Sequence, residues 1–158
     1  MSTNIRELWG NVINVLAEGG ALSQKFPGFE NRQCQRDMAE MVFKSFIEES
    51  VALIEAGTGT GKTLAYLIPA VFCSFAFNEP VVVSTKTINL QEQIMKKDVP
   101  LLKSVLDDRF TAVLVKGWNN YLCIRRLRTL EVSEGVFTAD EFYFWRKLSN
   151  WAEKTVTG

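Results

Sequence analysis

Three features of the sequence predict a parallel α/β fold. Short apolar runs alternate with helical patterns, a glycine-rich turn joins the first run to a helix, and the length suits one domain with a sizeable core. The chain has 158 residues, of which 47% are hydrophobic and 23% charged, the balance of an ordinary globular protein. Strand, helix, strand, helix, strand in this order is the pattern of a parallel sheet with right-handed crossovers and flanking helices.

The elements follow in chain order. Ile5, Leu8, Trp9, Val12 and Leu16 recur at helical spacing, and Gly19-Gly20 supplies a stop. Phe26–Arg32, with Pro27 and Gly28, reads as a loop. Gln33–Glu49 shows a second helical pattern through Met38, Val42 and Phe46. Val51-Ala52-Leu53-Ile54 is a short apolar run before a glycine-rich segment, and is predicted to be a buried strand. A helix is expected from Lys62 to about Phe77, then a second strand at Val81–Val83 after Pro80. Ile88–Val99 is amphipathic and helical, and Leu101–Leu106 continues as a helical run. Phe110–Val115 is the third expected strand, and Asn120–Val132 and Thr138–Lys154 are expected helices. Thr138 and Glu141 have the spacing of a capping box.

The turn Ala56-Gly57-Thr58-Gly59-Thr60-Gly61-Lys62-Thr63 has the spacing of a phosphate-binding P-loop, with Ala56 where the strict pattern has glycine. Glycines let backbone N–H groups turn inward onto phosphate oxygens, and the helix start adds its positive dipole end. Lys62 would reach the terminal phosphates of a nucleotide such as ATP, and the Thr63 hydroxyl would hold Mg²⁺. A plain glycine turn capping a helix leaves a lysine at the helix start unexplained, because it opposes the dipole. Hydrolysis also needs an acidic residue at a strand end. Asp107-Asp108 follows too short an apolar run for that role and reads as a loop, so the chain is expected to bind ATP without turning it over.

Three further segments narrow the class: Glu30–Met38 before the P-loop, Ser84–Gln93 after the second expected strand, and Lys116–Cys123 after the third. Together they resemble the iron–sulfur superfamily 2 DNA helicases of the DinG/XPD type, in particular the bacterial DinG-like branch, from about Phe26 onward. The resemblance implies a RecA-like ATP-binding domain, incomplete here as a fragment of a first motor domain. It also implies 5′ to 3′ DNA unwinding, with ATP hydrolysis coupled to translocation along single-stranded DNA. Arg32 and Gln35 match the adenine-side motif, with a solvated helix start as the alternative. Thr85, Lys86 and Thr87 match the motif that grips the single strand, and a plain N-cap by Thr85 or Thr87 can coexist with that role. Cys123 matches the first of four cysteines that hold a 4Fe–4S cluster, conditional on a longer chain; a buried core cysteine is the alternative. Trp118 and Tyr121 suit base stacking or packing. Arg125, Arg126 and Arg128 suit a phosphate backbone or a solvated helix face.

The implied organisation is an N-terminal helix over residues 1–25, the first part of the ATP-binding domain over 26–117, and the start of a helical iron–sulfur insertion over 118–158. The acidic box, the remaining cluster cysteines and a second motor domain are absent, and Thr155–Gly158 reads as the middle of a segment, so a fragment or truncated product is expected.

Eighteen basic residues balance eighteen acidic ones, so any DNA contact must be local. Three cysteines at wide spacing argue for a reducing, cytoplasmic setting; Cys34 and Cys73 are expected to be small buried hydrophobes. The N-terminus lacks a secretory pattern. The apolar stretch Leu64–Phe77 contains Pro69 and is too short to span a membrane. With no histidine, imidazole metal sites and histidine acid–base chemistry are excluded.

Overall fold

In the computed structural model, residues 4–132 and 138–155 are described. They divide into two compact units, residues 1–113 and residues 114–158.

The first unit is built of helices. Helix α1 (Ile5–Leu16) is capped by the Asn4 side chain, which accepts from the N–H groups of Arg6 and Glu7. Its buried face is Leu8, Val12, Val15 and Leu16. After Gly19, in the left-handed region at φ 73°, a short helix α2 (Ala21–Lys25) buries Leu22. Helix α3 (Gln33–Ile47) buries Gln35, Ala39 and Phe43. Met38 and Phe46, from the periodic pattern, are partly buried and pack against the same core.

Helix α4 (Lys62–Phe77) is buried at Ala65, Leu67, Ile68, Ala70 and Cys73. It packs principally against α3 and also against α1. Pro69 sits inside it and removes one backbone donor, yet the helix runs through to Phe77. The ring of Trp9 on α1 lies 5.1 Å from that of Phe43 on α3, closing one side of this core.

The helix expected at Ile88–Val99 has more structure than its periodicity suggested. Helix α5 (Ile88–Gln93) passes into a π-turn at Ile94–Asp98 and then into helix α6 (Val99–Val105). The π-turn inserts a residue into the helical register. It keeps Ile94, Val99, Leu102 and Val105 on the buried side and draws Asp98 in with them.

The predicted parallel sheet does not form: no residue among those described is in a β-strand. Val51–Ile54, Val81–Val83 and Phe110–Val113 are segments without a ladder partner, and Val51 and Leu53 are 99% and 97% exposed. A helix closes its hydrogen bonds within one segment, whereas a strand exists only when another strand accepts its N–H groups. Apolar composition therefore did not suffice to make strands of these runs.

In the second unit, Leu114 and Val115 of the third expected strand are likewise outside any strand. A 3₁₀ turn at Trp118–Asn120 precedes helix α7 (Ile124–Val132). Helix α8 (Ala139–Ala152) opens with the predicted capping box. Thr138 accepts from the Glu141 N–H, while the Glu141 carboxylate accepts from the Thr138 N–H at 2.8 Å. The terminal residues Val156–Gly158 lie outside the described residues. No described helix is long and apolar enough to cross a membrane.

Candidate nucleotide-binding site

Residues 56–63 form a turn that runs straight into α4. Gly59 and Gly61 have φ of 76° and 79°, a conformation that a residue with a Cβ adopts only under strain. Gly61 is the N-cap of α4, so the left-handed residue aims the chain into the helix. The Thr60 hydroxyl donates to the Gly57 carbonyl at 2.9 Å and tightens the turn from within.

Lys62, the first residue of α4, folds its side chain back over the loop. Its ammonium donates to the Ala56 carbonyl at 2.8 Å and to that of Gly57. Thr63 follows, half-buried, and shares a hydrogen bond with the hydroxyl of Tyr66. Burial is the main cause that pushes the Tyr66 phenol above its ordinary pKa; the nearby charge of Asp98 adds to this and the Thr63 contact opposes it. Sequence reasoning missed Tyr66. Its position one helical turn beyond Thr63 was the available signal, since residues three apart share a face.

The two residues assigned to the adenine-side motif meet this loop. Arg32, the N-cap of α3, donates to the Gly59 carbonyl and pairs with the Glu30 carboxylate at 2.8 Å. Gln35, in the first turn of α3 and 4% exposed, donates from Nε2 to the Gly61 carbonyl at 2.9 Å. Four residues of the P-loop thus have carbonyls engaged by Arg32, Gln35, Thr60 and Lys62.

Thr85, Lys86 and Thr87 lie at the start of α5, and their described bonds are local. The Thr87 hydroxyl caps the helix by accepting from the Leu90 N–H at 3.3 Å, and Thr85 donates to the Thr87 carbonyl at 3.2 Å. Lys86 is exposed. Asp107 and Asp108 lie in a turn after α6, both at positive φ, and form ion pairs with Arg109 and Lys103. They are surface turn residues, as their short preceding run implied.

In the second unit, Cys123 is exposed. The Arg126 backbone N–H holds its thiol below the ordinary value, with smaller contributions from the Arg125 N–H and the two guanidinium charges. Arg125, Arg126 and Arg128 are exposed on α7, and Trp118 is fully open to solvent. The Tyr121 hydroxyl accepts from the Lys116 N–H at 2.8 Å, so it braces the turn. Cys73 is buried, with its pKa pushed up to about 11 by desolvation, as expected of a small hydrophobe. Cys34 is exposed, because the stripe of α3 that faces the core is the one through Gln35, Ala39 and Phe43. Among the described residues no group of three or more Cys, Asp or Glu side chains could hold a metal ion.

Comparison with known proteins gives this geometry its setting. The sequence matches the DEAD/DEAH box helicase family over residues 35–136, which takes in Gln35, the whole P-loop, Thr85–Thr87 and Cys123. The chain belongs to the DEAD/DEAH box helicase family. Relatives of this DEAD/DEAH box helicase chain include the ATP-dependent DNA helicase YoaA of Haemophilus influenzae, 38% identical over 93% of this chain and 22% of that protein. Another is the ATP-dependent DNA helicase DinG of Escherichia coli, 44% identical over 72% of this chain and 16% of that protein. The protein named 3′-5′ exonuclease DinG in Bacillus subtilis is 36% identical over 87% of this chain and 15% of its own length. The chain spans between 15% and 22% of the length of these relatives. The sequence resemblance to DinG-like helicases is thereby borne out.

Proposed function

We infer that this chain is the ATP-binding portion of an ATP-dependent DNA helicase that couples hydrolysis to 5′ to 3′ movement along single-stranded DNA, in the cytoplasm. The observation that carries this is the P-loop at the N-terminus of α4, with Lys62 folded over it and Arg32 and Gln35 bordering it. In a nucleotide complex the Lys62 ammonium exchanges the Ala56 and Gly57 carbonyls for phosphate oxygens, which are stronger, charged acceptors. The loop N–H groups and the dipole end of α4 supply the remaining positive field.

Mg²⁺ fits the residues present. Thr63 offers a hydroxyl oxygen at the helix start, steadied by Tyr66, and oxygen is the donor that this hard cation takes. The metal would neutralise charge between the terminal phosphates. A 4Fe–4S cluster does not fit this chain by itself, because it needs four thiolates. Cys123 is exposed and shifted toward thiolate, Cys73 is buried, and Cys34 lies in the other unit. Cys123 is proposed as one ligand only, with the others supplied from a longer protein. Thr85, Lys86 and Thr87 are proposed to grip the strand, where hydroxyls and a lysine suit phosphate oxygens.

Asp107 and Asp108 are occupied in surface pairs, so binding is assigned to the chain and turnover to the longer protein of which it is a part. In that protein, single-stranded DNA is expected to stimulate ATPase activity and Lys62→Ala to abolish it. Turnover indifferent to DNA would overturn the motor reading. In the isolated chain, calorimetric titration with Mg·ATP is expected to give binding that Lys62→Ala removes.

A further inference from the structure

We propose that Tyr66 is a positioning residue for the Thr63 hydroxyl, and that Asp98, carried in by the π-turn, supplies the acceptor behind it. The inference rests on the reading of Thr63 as the magnesium ligand of a nucleotide site. Tyr66 lies one helical turn beyond Thr63 on the same side of α4. It is half-buried and packed against the core, and its hydroxyl is hydrogen-bonded to Thr63. A hydroxyl has one hydrogen to give and an oxygen that accepts. A Thr63 oxygen that serves a cation is a poor acceptor, so the bond must run from the Thr63 O–H to the phenol oxygen. That direction leaves the Thr63 lone pairs to the metal.

The phenol hydrogen then needs an acceptor of its own. The π-turn Ile94–Asp98 packs against α4 and carries Asp98 into the interior, where it is 7% exposed. Gln93 bonds this carboxylate, yet its Oδ2 is buried with no hydrogen-bond partner among the described residues. A buried charged oxygen left without a donor is costly, and it is a stronger acceptor than any neutral group. The Asp98 charge reaches the Tyr66 phenol and favours keeping the hydrogen on it. Thr63, Tyr66 and Asp98 thus form a file of two hydroxyls ending on a carboxylate. The file gives the register shift of the π-turn a use, because that shift is what draws a carboxylate in behind the metal ligand. Groups that orient a metal ligand from behind contribute to metal affinity without touching the ion.

The test uses this chain with Tyr66→Phe, which keeps the ring and removes the hydroxyl, and with Asp98→Ala and Asp98→Asn, the second of which keeps an acceptor oxygen. Thr63→Ala is made with and without Tyr66→Phe. ATP binding is measured by calorimetry with Mg²⁺ in excess and again in chelator, and a thermal melt checks each fold. Tyr66→Phe is expected to weaken binding in Mg²⁺ by about two- to tenfold and to leave binding in chelator unchanged. Asp98→Ala should do the same, Asp98→Asn should keep most of the wild-type affinity, and Tyr66→Phe should add nothing to Thr63→Ala. Should Asp98→Ala not fold, Tyr66→Phe and the double variant decide. A hydroxyl that only supports the helix would weaken binding alike with and without the metal, and that result overturns the proposal. So does a Mg²⁺ advantage that Tyr66→Phe leaves intact, or an Asp98→Asn variant no better than Asp98→Ala. A wild-type chain that bound ATP equally with and without Mg²⁺ would overturn the proposal and leave the nucleotide reading standing. One that bound no ATP in either condition would overturn both.

Discussion

Helix α4 and the segment Val51–Ile54 are near neighbours in sequence, equally apolar, and opposite in outcome. Along α4, Ala65 and Ile68 are fully buried and Cys73 nearly so. In the other segment, Val51 and Leu53 are almost fully exposed, and Val82 and Val113 of the other two expected strands are largely exposed as well. Hydrophobicity does not separate them. What does is where the backbone finds its hydrogen bonds: α4 closes each within four residues, so its side chains are arrayed for α1 and α3 before any long-range contact forms. An extended run has no such local solution. The phosphate loop joins the two regimes and takes its order from the helical side, through Gly61, Gln35 and Arg32.

Truncations on the two sides test that contrast most severely. Ile68→Ala removes a fully buried side chain and is expected to destabilise the chain by about 2–5 kcal/mol. Leu53→Ala, 97% exposed, is expected to change stability by no more than about 0.5 kcal/mol. Denaturant unfolding of both variants measures the difference. Equal losses would show that Leu53 is covered in solution, and the contrast would break.

The next effect lies at the junction. Gly61→Ala forces a Cβ into the left-handed region and against Gln35 Nε2, with an expected cost of about 1–3 kcal/mol and loss of nucleotide affinity. Adding Gln35→Ala to it should relieve the clash and leave the backbone strain, so the double variant should recover part of the stability. If the double variant were no more stable than Gly61→Ala alone, the tight packing of Gln35 on Gly61 would be disproved.

What could be read in the sequence divides along the same line. The limits of α1 and α4, the helical stretch after Gln33, and the Thr138–Glu141 capping box were legible because each is decided by residues within a turn or two of one another. The P-loop was legible because its spacing carries its own backbone requirement at Gly59 and Gly61. The periodicity of α3 placed Met38 and Phe46 against the core, but it could not foresee that Gln35 would also be buried, with its amide on a carbonyl 26 residues away. The sheet failed for the opposite reason: its evidence was composition alone, and a ladder depends on partners that no local pattern supplies. Tyr66 was missed because a tyrosine in an apolar helix reads as core until its hydroxyl is placed beside Thr63.

A local device should have a local effect. Thr138→Ala removes the hydroxyl that accepts the Glu141 N–H, which is half of the capping box, and is expected to cost α8 about 1 kcal/mol. Hydrogen exchange should rise in the first turn of α8 and stay unchanged toward Ala152. Uniform acceleration along the whole helix would mean that the cap governs the element and not its end.

The smallest expected effect concerns Asp98, which the π-turn carries into the core. Burial raises its carboxyl above the ordinary value of 3.8, with the Lys97 charge and a hydrogen bond from Gln93 opposing the shift. Because the folded state holds the proton more tightly than the unfolded state, ionised Asp98 weakens the fold at neutral pH. That penalty is relieved as pH falls through the raised value toward 3.8, where both states are protonated. Asp98→Asn removes the charge and keeps the shape and a hydrogen-bonding oxygen. The variant should therefore melt above wild type at neutral pH, by an amount kept modest by Gln93 and Lys97, and the gap should close on acidification. A gap that held constant, or widened, as pH fell would show that the carboxylate is stabilised where it sits, and that the π-turn delivers a wanted charge to the core beside Tyr66.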